Sequence, residues 1–118
     1  MKSGKQVFIN GDWNDYADGH FSLRNQIWIK KLVDKYGPLH NGQKIWLFYM
    51  RHKNNKINLQ IFPGEIRDVE SSGECKVYVD EKDVIDLSQS KEFKDYSLED
   101  IIGAEWFNSI KEKHPEWL

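Results

Sequence analysis

The sequence predicts an α+β fold: an antiparallel sheet of four to five strands with an N-terminal and a C-terminal helix packed on it. Three observations lead there. Apolar residues recur at every third or fourth position in two stretches, one after residue 22 and one after residue 97. Between them, several short segments alternate apolar and polar residues with a period of two. Polar turns rich in Asn, Gly and Ser separate those segments, so neighbouring strands run antiparallel. With 118 residues and 39% hydrophobic content, the chain suits one domain, residues 1–118, whose core needs no staple.

The elements follow in order. Val7-Phe8-Ile9 is a short apolar run, either an edge strand or the lead into a loop, and residues 10–19 lack an apolar period and read as that loop. Ser22 is the expected N-cap of the first helix. Leu23, Ile27, Ile29, Leu32, Val33 and Tyr36 are its apolar positions, and Gly37-Pro38 ends it. Residues 44–51 make the strongest strand. Ile45, Leu47 and Tyr49 point to one side and Trp46, Phe48 and Met50 to the other, which suits the middle of a sheet. Asn54-Asn55 makes a tight hairpin to residues 57–62, and Pro63-Gly64 is expected to break that strand.

Residues 65–69 offer a further short strand before the Ser71-Ser72-Gly73 turn. Cys75, Val77 and Val79 then alternate with Lys76, Tyr78 and Asp80 in a half-buried strand, and residues 84–87 add an edge. Residues 88–96 are a polar connection. Ser97 opens the last helix, with Asp100 three residues on as a relative of the capping box. Leu98, Ile101, Ile102, Trp106 and Ile110 form one apolar stripe, and Pro115 ends the element. Both helices are expected on one face of the sheet.

Several chemistries lack their signatures. There is no G-x-S-x-G elbow, no dinucleotide fingerprint and no P-loop. His20, His40, His52 and His114 form neither H-x-x-H nor H-E-x-x-H, so structural or solvated roles are expected for all four. Cys75, the sole cysteine, excludes an internal disulfide and a thiolate cluster, and a strand position beside Val77 and Val79 makes it inert. Asp12, Asp15 and Asp18 run up to Gly19, but Tyr16, Ala17 and Leu23 stand where an EF-hand needs oxygen ligands and glycine. No metal and no cofactor is expected. Residues 1–6 lack the apolar core of a secretory signal, and no apolar run approaches the ~20 residues that span a bilayer. A cytoplasmic protein without a membrane partner is the expectation.

Charge is sorted by half. Residues 1–59 hold ten Lys/Arg against four Asp/Glu, and residues 60–118 hold seven against fifteen, so a formal net charge of −2 hides a dipolar chain. Asp80, Glu81, Asp83 and Asp86 cluster around one turn, and Asp12, Asp15 and Asp18 occupy an earlier loop with Trp13 among them. Exposed charge pairs are worth ~0–1 kcal/mol each, enough to steer a basic partner and too little to hold it without an aromatic anchor. Trp13, Tyr16, Tyr96 and Trp117 are the rings least accounted for by the periodic core.

On Asp12-Trp13-Asn14-Asp15 and the run from Asp80 to Asp86, together with size and architecture, the whole chain resembles bacterial immunity proteins of contact-dependent growth-inhibition systems. The resemblance implies a non-enzymatic protein-binding module. It would neutralise a cognate toxin domain, such as a nuclease, by occluding its basic active-site surface. The partner-binding residues would be Asp12, Trp13, Asp15, Asp18, Asp80, Glu81, Asp83 and Asp86, facing a protein with a basic surface. Two other readings stay open. A small nuclease-like enzyme would draw on His20, His52, Asp68 and Lys76. A nucleic-acid-binding accessory protein would use Arg51, Lys53 and Lys56 with Lys30 and Lys31, against which the pI of about 6.1 argues.

Overall fold

A computed structural model describes residues 5–118. The expected lack of a secretory leader rests partly on residues 1–4, which lie outside that range. Among the described residues, seven strands form one mixed sheet: β1 (Phe8–Asn10), β2 (Tyr16–Ala17), β3 (His20–Leu23), β4 (Lys44–Lys53), β5 (Lys56–Arg67), β6 (Cys75–Tyr78) and β7 (Ile85–Asp86). The order is β1-β4-β5-β6-β3-β2, with β7 also paired to β5. The helices are α1 (Gln26–Tyr36), α2 (Leu98–Ile102) and α3 (Ala104–Lys113). The α+β class therefore stands, while the sheet is larger than four to five strands. It is also not purely antiparallel, because β1 lies parallel to β4.

The strongest sequence signals lie where expected. Asn54 and Asn55 both take positive φ, 55° and 62°, the two left-handed residues of a tight hairpin, and β4 and β5 pair from Lys53↔Lys56 to Lys44↔Glu65. Weaker signals misled. Ser22 lies inside β3, opposite Lys76, and Leu23 is buried opposite Cys75. The cap of α1 is Asn25, whose side chain accepts the Ile27 amide. Pro63-Gly64 does not end β5. One edge of β5 is covered by β7 at Gln60 and Ile61 and by β6 from Glu65 to Arg67, so Pro63 falls in the gap between two partners. Gly64 is buried there, and a Cβ would lie 2.5 Å from Val77 Cγ1 and 2.9 Å from Leu47 Cδ1.

The helices lie on opposite faces, not one. Ile29 and Leu32 of α1 pack with Ile45, Leu47, Phe62, Ile66 and Val77. Ile101, Ile102 and Ile110 of α2 and α3 pack with Phe8, Phe48, Leu59 and Ile61. Leu47 and Phe48 are adjacent in β4 and must point to opposite sides, so a strand apolar on both faces needs a cover on each. The last helix is two helices. Ser97 and Asp100 complete a capping box, but Gly103 at φ 96° divides α2 from α3. Nor is the 88–96 connection simply polar. Phe93 is buried, with Trp46 at 4.7 Å and Phe8 at 5.1 Å between ring centroids, and Ser90 Oγ accepts its amide.

Candidate functional site

Both acidic segments are built as short capped turns. Asp12 caps a 3₁₀ turn at Trp13–Asp15, its carboxylate accepting the Asn14 amide at 2.9 Å. Asp80 does the same for Glu81–Asp83, accepting the Lys82 amide at 3.0 Å. Asp18 and Gly19 both have positive φ and form the tight turn between β2 and β3. Asp-Gly is a strong hairpin signal, and it could have revealed β2 and β3 in what reads otherwise as a structureless loop.

The fold brings the two turns side by side. The Tyr16 hydroxyl donates to Val79 O at 3.1 Å, and the Val79 amide donates to Gly19 O at 3.1 Å. Burial raises the Tyr16 pKa above its ordinary value, and the nearby carboxylates of Glu81 and Asp80 raise it further. Trp13, Gln60, Glu81 and Val84 line one concavity of about 370 Å³. Asp80 and Asp83, from the same turn, line a second of about 600 Å³ with Gly19, Lys44, Glu65 and Arg67. The 80–84 turn thus stands between two hollows, one edged by acid and aromatic groups and the other by both charge signs.

The predicted acids differ in how they are compensated. Asp80 pairs with Lys82 at 3.7 Å and Asp86 with Arg51 at 3.9 Å. Asp15, Asp18, Glu81 and Asp83 are exposed, and neither they nor Asp12 makes an ion pair among the described residues. Asp86 sits opposite Gln60 on β5, and its charge is met there by Arg51.

The rings expected as free anchors are all engaged. Trp13 stacks on Phe62 at 5.0 Å and contacts Phe21 and Tyr16, keeping part of its surface exposed. Tyr96 packs against Phe8 and Phe93, and its oxygen accepts the Gln6 amide. Trp117 stacks on His114 at 3.8 Å and meets His52 at 4.1 Å. Only Trp13 and Tyr16 lie beside the acids.

The residues of the enzyme reading do not assemble, whereas Lys53 and Lys56 of the nucleic-acid reading stand opposite each other at the hairpin tip. His20 shares a ladder row with Tyr78, Glu65 and Lys44. His52 is eight residues beyond Lys44 along β4, roughly 27 Å of strand, so the two imidazoles cannot act as an acid–base pair. Asp68 and Lys76 form an exposed ion pair at 3.5 Å. At the basic hairpin tip, Arg51 is tied to Asp86 and Lys56 to Leu118 O, while Lys30 pairs with Asp34 and Lys31 lies over Trp28. Among the described residues no cluster of three or more His, Cys, Asp or Glu is placed to hold a metal, and no helix is long and apolar enough to cross a membrane. No family model matches the chain, and no curated protein or solved structure matches it either.

Proposed function

We propose that this chain is a protein-binding module, an immunity protein that neutralises a cognate toxin domain by covering the toxin's basic active-site surface in the cytoplasm. One observation carries the reading. Two acidic turns more than sixty residues apart in sequence are hydrogen-bonded into one face through Tyr16, Gly19 and Val79. Asp15, Asp18, Glu81 and Asp83, exposed and without an ion pair among the described residues, project a negative field that speeds encounter with a positive surface and rejects acidic ones.

The structure dictates which acids to test. Asp12 and Asp80 cap their turns, so changing them confounds binding with folding. Asp15, Glu81 and Asp83 are exposed and cap nothing. The triple variant D15K/E81K/D83K should keep its circular dichroism and melting temperature. At about 1 kcal/mol per lost pair, it should bind the toxin domain encoded beside it on the order of 100-fold more weakly. Cells expressing that toxin should then be protected by the parent chain and not by the variant. Undiminished protection by the variant would overturn the reading.

A further inference from the structure

We infer that the hollow beside Trp13 is a socket for an arginine side chain of the protein partner. The inference rests on the binding reading above and assigns that face its central contact.

The four lining residues supply what a guanidinium with an aliphatic stem requires. Trp13 lines it with the part of its indole that Phe62, Phe21 and Tyr16 leave exposed, and indole is the ring a cation favours most. Glu81 offers a carboxylate with no ion pair among the described residues, suited to the planar donor fork. Gln60 adds an amide oxygen as a further acceptor, and Val84 gives methyl groups for the three-carbon stem. No cation lines the hollow. On the other side of the same turn, Lys44 and Arg67 already stand beside Glu65, Asp80 and Asp83, so that larger groove has less charge to offer a cation.

The Trp13 ring and the strand carrying Gln60 are held in place before anything enters. Phe62, fully buried, lies against Trp13 with an interplanar angle of 28°, and Phe21 and Tyr16 flank the ring. Gln60 is fixed between Tyr49 of β4 and Asp86 of β7. A side chain entering such a site meets an indole already fixed and orders only the exposed Glu81 side chain, which lowers the cost of seating an arginine anchor. Lysine would match the charge but lacks the planar fork and stacks less well.

The test titrates blocked hexa-arginine, hexa-lysine and hexa-citrulline peptides into the whole protein at low salt. The five tryptophan indole N–H signals are followed by nuclear magnetic resonance. Hexa-arginine should bind severalfold tighter than hexa-lysine and move the Trp13 indole signal, while hexa-citrulline should not bind. E81Q should weaken hexa-arginine about fivefold. E70Q, an exposed acid in the β5–β6 turn, should leave it unchanged. Equal binding of the arginine and lysine peptides would overturn the assignment to guanidinium. Cationic binding with a still Trp13 signal and no effect of E81Q would overturn the socket and leave the acidic face intact. Failure of both cationic peptides to bind would overturn the acidic face itself.

Discussion

Gly64 is the position where one methyl group should tell most about this fold. Its missing side chain leaves room for Val77 of the neighbouring β6 and Leu47 of β4 to close over β5. A Cβ there would meet Val77 Cγ1 at 2.5 Å, Leu47 Cδ1 at 2.9 Å and Val79 Cγ2 at 3.3 Å. Val77 and Leu47 are almost completely buried, so neither can swing into solvent. Overpacking of this kind costs about 1–3 kcal/mol, and the lower backbone entropy of alanine in the unfolded chain returns about 0.4–1 kcal/mol. The net loss for G64A is therefore about 1–2 kcal/mol. In a domain of this size that lowers the melting temperature by roughly 3–10 °C. In urea it shifts the midpoint by roughly 1 M at an unchanged slope. V77A removes the nearest methyl and should cost on the order of 2–3 kcal/mol by itself. In the V77A background only the approaches to Leu47 and Val79 remain, so G64A should cost about 1 kcal/mol less than in the parent, read as the coupling in a double-mutant cycle. A stable G64A single variant, or strictly additive losses, would refute the claim that close approach to Val77 is why glycine stands there.

Other consequences can be checked on the same purified protein. S97A should cost about 1 kcal/mol by removing the cap of α2. Asp100 lies below its ordinary pKa because of the hydrogen bond from Lys5, then those within the Ser97 cap. Its contribution is thus present above the unfolded carboxylate value and lost as pH falls through the lower folded one. D100N should be less stable than the parent at pH 7, and the gap should close in acid; a constant gap speaks against the ion pair. Burial pushes the Cys75 thiol up to about 11, leaving about one thiol in a thousand ionised at pH 8. A disulfide reagent should label it slowly in the native protein and fast in denaturant; rapid native labelling contradicts the burial. N55G should stabilise by a few tenths of a kcal/mol, since glycine suits the second left-handed position of the β4–β5 hairpin, and a fall in melting temperature would argue against that turn.

How much was legible in the sequence depended on the range of the interaction that fixes each element. The β4–β5 hairpin, the Ser97 capping box and the burial of Cys75 rest on residues a few positions apart, so local pattern found them. Ser22 looked like a cap because Leu23 fits a helical spacing. Leu23 is instead held by the β3–β6 ladder opposite Cys75, more than fifty residues away. Pro63-Gly64 reads as a break, since the strands that leave a gap at Pro63 lie elsewhere in the chain. Phe93 carries no periodic signal because it lies in a connection and its partners, Trp46 and Phe8, belong to β4 and β1.

The candidate site divides the same way. Sequence alone located the carboxylates, their density around residues 12–18 and 80–86, and the indole among them, because composition and spacing are properties of the chain. Only the tertiary structure decided that the 12–18 and 80–84 turns share a face, that Asp86 is tied to Arg51 instead, and that Trp13 leans on Phe62 while Trp117 is enclosed by histidines. Proximity between residues far apart in a chain follows from sheet order, and sheet order comes from which apolar faces can be buried together, a balance summed over the whole molecule that no short window of residues contains.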